Sequence, residues 1–529
     1  MSVFSVYIHF LISRVPRYTP SSKQNLSSKI RRKSLPTYFL RLVSNFKFTL
    51  PHYLPNVNQP DKDSLLSLPL KKNSMVTRDL TQGSIVGNIA RFSIPYIISY
   101  FLQILYGLAD LYIIGQFRGV ESITAVSIGS QVMHMLTVMI VGLAMGTTVS
   151  LAKSIGMGDT PKGRAVIGNT VTLFLGISIV LASVLLCCTR NIVSAMSTPA
   201  EAVSETISYL RICFIGIPFI VAYNIIASIF RGMGDSQSPT YFIAIACAVN
   251  IAMDYIFIGK MNMGAVGAAL GTTLSQAASV LVSLIVMTRS KSGIRISGKD
   301  LRPDGRTMQE VVKIGVPVSL QDGFIQISFI VITIIANRRG LDDAAAVGIV
   351  EKIIGVLFLV PSAMLSTVSA ISAQNIGAGK PDRARKTLMD AVFIAASFGL
   401  VSATAMQFLS GDAVGLFTGD ERVRLLGGQY LRSYIWDCVF AGIHFCFSGY
   451  FCACGHSIIS FIHNFLSIVL ARIPLAWFAS ANWPDTLFPM GLAAPAGSSL
   501  SVIICIGAHL WLRKKELYAR GVSNGHKTD

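Results

Sequence analysis

Charge is what this chain has least of. Lys, Arg, Asp and Glu make up 13% of its 529 residues, where a soluble domain carries about a quarter. Too few charges remain to solvate a globular surface of this size, which argues against an ordinary water-soluble fold. Acids are scarcer than bases, 26 against 45, for a formal net charge of +19. The excess does not mark a nucleic-acid binder. Twelve of the bases fall in residues 1–74, and most of the rest lie in short segments between apolar blocks. That pattern orients a membrane protein rather than tracking phosphates, so no nucleic-acid partner is expected. Cysteines number nine, and Cys187, Cys188, Cys247, Cys446, Cys452, Cys454 and Cys505 lie inside apolar blocks. A cysteine there packs as a small hydrophobe, and Cys452-x-Cys454 lacks zinc-knuckle spacing. Neither a disulfide nor a metal centre is expected.

Signatures of chemistry are missing too. The nearest segment to a nucleotide-binding loop, Gly377-Ala378-Gly379-Lys380, lacks the upstream Gly and the following Ser or Thr, which argues against an ATP-driven pump. There is no H-E-x-x-H, and His134, His444, His456 and His463 are scattered. The chain does not read as an enzyme, and no cofactor is implied.

What the chain has is long apolar runs. A bilayer-spanning helix needs about 20 apolar residues. Blocks of that length fall near 90–114, 123–150, 165–189, 207–230, 240–259, 265–288, 310–336, 344–372, 387–409, 430–453, 457–480 and 489–512. The expected fold is an all-α membrane protein of twelve transmembrane helices. Residues 75–288 form a first six-helix unit, 289–309 a polar linker, 310–512 a second unit and 513–529 a tail. Residues 1–74 are basic, Ser-rich and broken by prolines, and read as disordered. They are either a transit peptide or sequence upstream of a true start at Met75, and the second reading is favoured. The linker (Arg289, Lys291, Arg295, Lys299, Arg302, Arg306), the 2–3 loop (Lys153, Lys162, Arg164), the 8–9 loop (Lys380, Arg383, Arg385, Lys386) and the tail (Arg513, Lys514, Lys515, Arg520) all fall on one side. The positive-inside rule places that side, with both termini, in the cytoplasm.

The two units repeat one another. Tyr209-Leu210-Arg211 recurs as Tyr430-Leu431-Arg432, an offset of 221. At the same offset Gly234 meets Gly455, Gly119 meets Gly340, Ala125-Val126 meets Ala346-Val347, and Ile155-Gly156-x-Gly158 meets Ile376-Gly377-x-Gly379. Near the start Ile94-Pro95 corresponds to Val316-Pro317. Near the end Gly271-Thr272-Thr273-Leu274 resembles Gly497-Ser498-Ser499-Leu500. Six spans return the chain to its starting side, so the halves are parallel copies about an axis along the membrane normal. The result is two pseudo-symmetric bundles, an N-lobe and a C-lobe, around a central cleft. That geometry favours a transporter.

A charge at mid-bilayer costs about 2.5–3.5 kcal/mol on insertion scales, so acids inside spans need a reason. Asp110 lies deep in span one, with Tyr106 and Gln103 on the same face. Asn250 and Asp254 share a face of span five, and span six brings Thr272. Were these faces to meet, two carboxyls, an amide and a hydroxyl would share a low-dielectric pocket. Two adjacent carboxylates cannot both ionise cheaply, so such a pair readily holds a proton; the same oxygens also suit Na⁺. The repeat partners of Asp110, Asn250 and Asp254 are Val331, Ala471 and Leu475, so a single coupling site belongs to the first half. Gln321 and Asp322 of span seven and Asp437 of span ten are further candidates for the cleft wall, alongside Glu351-Lys352 and His444.

These residues resemble the multidrug and toxic compound extrusion (MATE) family, over about Met75 to Trp511. The likeness rests on Ile94-Pro95 and Asp110 before Gly115, Arg231-Gly232-Met233-Gly234-Asp235 after span four, Asn250-x-x-x-Asp254, and Gly264-x-x-Gly267-Ala268-Ala269 leading to Thr272. It implies an N-lobe cation site at Asp110, Asn250, Asp254 and Thr272. It further implies H⁺- or Na⁺-coupled antiport of small, amphipathic, often cationic compounds by a monomer in the cell membrane. The N-lobe pattern looks like the family's DNA-damage-inducible branch. The C-lobe acids of some members align here with Ile325 and Ile443, which argues against a C-lobe Na⁺ site of that kind. The rival from the same superfamily, a lipid-linked oligosaccharide flippase, calls for a cationic cleft, and the spans show no obvious cluster of buried Arg.

Overall fold

A computed structural model describes residues 78–289 and 298–525. The extension at 1–74 and residues 290–297 of the 289–309 linker lie outside them. The described chain is helical, with ten helices long and apolar enough to cross a membrane and two bent pairs that bring the number of spans to twelve. Spans one to six are Ile85–Phe117, Val120–Gly156, Thr160–Ala195, Ala200–Ile215 with Ile217–Gly232, Gln237–Lys260 and Gly264–Thr288. Spans seven to twelve are Gly305–Asn337, Leu341–Gly377, Pro381–Gly415, Glu421–Tyr434 with Asp437–Ala453, Ser457–Asn482 and Phe488–Lys514.

Local chemistry sets the span ends. Side chains of Ser84, Asp159, Asp304 and Asp420 accept hydrogen bonds from the first free backbone N–H groups of spans one, three, seven and ten, as N-caps do. Spans two and eight are followed by Gly158 and Gly379, both at φ +70°, a left-handed turn that glycine adopts without strain.

Four spans expected to be continuous are interrupted, span twelve only at Leu492, close to its start. Span four bends by 47° at Gly216, next to Pro218, and span ten bends by 40° between Tyr434 and Asp437. Span eight changes helix at Phe358, just before Pro361. The two bends occupy the same place in each half, so the repeat extends to its irregularities.

Each first span begins in the opposite bundle. The start of span one packs Ile85, Ile89 and Phe92 with Met364, Val368 and Leu388 of spans eight and nine. Beyond Pro95 its Ile113 and Ile114 join the first bundle's core. Span seven mirrors this: Ile314 and Val318 pack with Met145 and Val149 of span two, whereas Ile332 and Ile335 join the second bundle's core, with Pro317 in the same helix.

The bundles meet at the end that carries the 2–3 and 8–9 connections. A Cβ on Gly156 would lie 2.0 Å from the Gln374 carbonyl oxygen, and one on Gly377 would lie 2.2 Å from that of Lys153. Gln374 and Gly377 are the repeat partners of Lys153 and Gly156, so the pseudo-twofold axis passes between these two contacts. Gly146 and Gly315 bring spans two and seven together as closely, against the carbonyls of Val311 and Leu143. Small residues permit this approach between membrane helices. The half of span eight nearest this end, Leu359–Gly377, packs on spans one and two as well as on spans nine and ten of its own bundle, whereas its far half, Leu341–Leu357, packs mainly within its own bundle, on spans seven, nine and ten. The cleft therefore opens toward the opposite end.

A strap ahead of span one ties the closed end. Arg78 N–H donates to the Met233 carbonyl at 3.0 Å, beside the turn after span four. The Gln374 amide pairs both ways with the strap, accepting from Leu80 N–H at 2.6 Å and donating to the Arg78 carbonyl at 3.1 Å. Lys380 and Arg383 donate to the carbonyls of Thr81, Gln82 and Gly83. Leu80, 2% exposed, is driven into the core beneath.

Candidate functional site

The faces of spans one, five and six meet inside the first bundle. Asp110, Asn250 and Asp254 are buried to 1%, 0% and 0% exposure, and Thr272 lies beside them. The Thr272 hydroxyl donates to Asp110 Oδ2 at 3.3 Å. The two carboxyls are within hydrogen-bonding reach of one another, and the Asn250 amide stands beside Asp110 without completing a hydrogen bond of good geometry. Among the described residues, three carboxylate oxygens, Asp110 Oδ1 and both of Asp254, have no hydrogen-bond donor. No Lys, Arg or His forms an ion pair with either acid among the described residues.

Backbone shape makes room for this pair. Span five leaves regular α-helix right after Asp254, becoming a π-helical turn over Tyr255–Lys260, a distortion common at functional sites. Gly271 of span six faces it, and a Cβ there would lie 2.2 Å from Asp254 Oδ1. Two carboxyls with open lone pairs in a dry pocket cannot both stay ionised without a counter-charge. Their chemistry suits a proton or a small hard cation.

The residues expected on the cleft wall divide. Tyr106, one turn before Asp110, sends its hydroxyl toward Thr272 and Ser275 and belongs with the acid pair. Gln103 lines a small cavity with Tyr96, Tyr100, Asn224 and Arg231. Asp322 is half-buried where spans two and seven touch, its Oδ2 2.8 Å from where a Cβ of Gly142 would sit. Gln321 is fully buried and reaches Asp322 only at 3.5 Å.

Asp437 corrects its expectation. At 0% exposure it does not line the cleft but points into the second bundle, 3.8 Å from the Arg472 guanidinium. Sequence reasoning also missed two buried arginines. Arg231, 7% exposed, closes span four over the Tyr96 ring at 5.1 Å. Arg472, also 7% exposed, hydrogen-bonds the Tyr434 hydroxyl and stacks on Phe329 at 4.9 Å. For Arg472 the available signal was an unaccompanied Arg well inside an apolar block, whereas Arg231 was read only as part of the turn after span four; the acidic neighbours of Arg472 come from spans distant in sequence.

Two parallel six-helix bundles, closed together at one end and holding unpaired acids inside one half, define a membrane transporter of the two-lobe class. The MatE family model matches residues 95–256 and again 317–478, 222 residues apart, one match in each half. The chain belongs to that family. It is 23% identical over 453 residues to the probable multidrug resistance protein YoeA of Bacillus subtilis, covering 84% of this chain and 98% of that one. Against the probable multidrug resistance protein YpnP of the same organism, identity is 27% over 407 residues, covering 77% and 91%. A solved structure described as the outward-facing conformation of a multidrug resistance MATE family transporter superposes with a TM-score of 0.75 at 22% identity, covering 83% of this chain and 97% of that one. That likeness establishes the shared fold.

Proposed function

We propose that this protein is a secondary active exporter of small molecules that exchanges one cation, H⁺ or Na⁺, for each outward step at Asp110 and Asp254. The observation that carries the reading is the buried carboxyl pair, with Thr272 and Asn250 beside it and open lone pairs on both acids. The basic connections assign the closed end to the cytoplasm, so the cleft described here opens outward. A cation entering from outside neutralises the pair. Span one carries Asp110 in one bundle and roots its other end in the second, so a change at the acids reaches the closed end through the helix that holds Pro95, which leaves the Arg91 carbonyl without its helical partner. Substrate leaves outward as the cation binds, and the cation discharges inward when the closed end opens.

Multidrug resistance in the names of the relatives supports a broad range of substrates. An amphipathic cation suits a cleft between membrane-embedded bundles, and Asp322, half-buried where spans two and seven touch, is a candidate acid to meet it. A flippase for pyrophosphate-linked glycans needs basic residues gathered in the cleft, whereas Arg231 and Arg472 are buried in separate bundles. The test is efflux of a fluorescent amphipathic cation from proteoliposomes. Asp110→Asn is expected to insert normally and to lose gradient-driven efflux; a wild-type rate in that variant refutes the assignment.

A further inference from the structure

The acid pair has a counterpart of opposite sign in the second bundle. Gly271 and Thr272 of span six correspond in the repeat to Gly497 and Ser498 of span twelve. Against Gly271 the first bundle packs Asp254; against Gly497 the second packs Arg472 and Ser467, whose Cβ and Oγ each lie 3.1 Å from where a glycine Cβ would stand. Each residue sits on the fifth span of its half and at a π-helical turn. Asp254 precedes the turn Tyr255–Lys260, and Arg472 closes the turn Ile468–Arg472. Strict sequence register pairs Asp254 with Leu475, three residues beyond Arg472, so the repeat read along the chain conceals the correspondence.

Two carboxyls from other spans lie in the neighbourhood of Arg472: Asp437 forms an ion pair with it, and Glu351 stands farther off. Asp437 is fully buried, neither of its oxygens completes a hydrogen bond, and its Oδ2 lies 3.8 Å from the guanidinium. Glu351 of span eight accepts from Thr333 at 3.0 Å and lies within electrostatic reach of Arg472. Tyr434 supplies its hydroxyl, Ser498 stands beside Asp437, and Tyr430 and His444 are the other titratable groups near the guanidinium. One fixed cation against two acids in a dry interior is what a bound ion supplies elsewhere. Arginine suits this task because its guanidinium is weakly hydrated and stacks on Phe329 and Tyr434.

We propose that the second bundle holds a cation site filled by the protein's own Arg472, and that removing this side chain opens a site for a free monovalent cation among Asp437, Glu351, Tyr434 and Ser498. The molecule then has one exchangeable cation site, in the first bundle, and one tethered cation in the second.

The experiment is thermal unfolding of the purified full chain in choline chloride, in NaCl, and in choline chloride with millimolar methylguanidinium, which stands in for the lost side chain. Arg472→Ala is expected to melt several degrees below wild type in choline. Na⁺ or methylguanidinium should recover part of that loss by binding the folded state. Adding Asp437→Asn should recover stability in choline and remove the cation response. The same response in an Asp254→Asn background separates this site from the amino-terminal pair, so failure of one assignment leaves the other standing. If Arg472→Ala yields no folded protein, recovery of folded protein by the paired neutralisation supports the proposal. No cation response beyond that of wild type, or no compensation by Asp437→Asn, overturns it.

Discussion

Asp254 and Gly271 show how tightly the proposed cation site is built at the residue scale. The glycine's missing Cβ is the space that one carboxylate oxygen fills. Gly271→Ala is expected to push the acid away, at a stability cost of about 1–3 kcal/mol for overpacking, and to slow gradient-driven transport. Calorimetry and efflux on the same preparation check both effects, and wild-type behaviour in both would show that the close approach is not needed. The site was legible in sequence because a charge inside an apolar block is rare and because Asn250 and Asp254 lie four residues apart on one helix. Asp110, Thr272 and Tyr106 could be gathered by assuming that inward faces meet. The second bundle was not legible in that way. Arg472 stands alone in its span, and its partners Glu351 and Asp437 come from positions 121 and 35 residues away. Nor does spacing along a helix tell a cleft-facing acid from one facing its own bundle, which is why Asp437 and Gln321 were expected on the cleft wall.

Two kinds of element decide which end of the cleft is shut. The glycine contacts of spans two and eight are reciprocal, so Gly156→Ala and Gly377→Ala are expected to act alike. Each places a methyl group about 2 Å from a carbonyl oxygen, and each should shift the population away from the state closed at that end. Spin-label distances between the 2–3 and 8–9 connections check this; unchanged distances would mean the contact yields without consequence. The strap acts at the same end. Gln374→Ala removes both hydrogen bonds to the strap and leaves the buried Leu80 N–H unpaired, a loss of about 1–3 kcal/mol. Faster hydrogen exchange over Arg78–Gly83 is the expected result, with little change in the second bundle's core. From sequence this stretch reads only as a polar lead into span one. Its docking depends on a side chain 294 residues away, and no local pattern encodes a contact of that range. The bend of span four has a local cue in Gly216 and Pro218, whereas span ten bends without a proline.

On the scale of the whole molecule, duplication gives the two bundles one architecture and unequal chemistry. The twelve spans and the parallel repeat follow from pattern and offset, since apolar length and repeated residues are properties of the sequence itself, whereas the contact at Gly156 and Gly377 is seen only in the structure. The crossing of spans one and seven between bundles arises only in three dimensions. It gives a physical route from the acids to the closed end: the helix that carries Asp110 in one bundle is rooted in the other. In the proposed mechanism, cation exchange at the first bundle and conformational change of both are one event. The most direct measurement is transport of a fluorescent amphipathic cation in proteoliposomes, with H⁺ and Na⁺ gradients imposed separately, for wild type and Asp254→Asn. The expected result is that at least one gradient drives uphill movement in wild type, while neither does so in the variant, which still exchanges substrate down its own gradient. Uphill transport by Asp254→Asn at the wild-type rate, under either gradient, would contradict the role given to the buried pair.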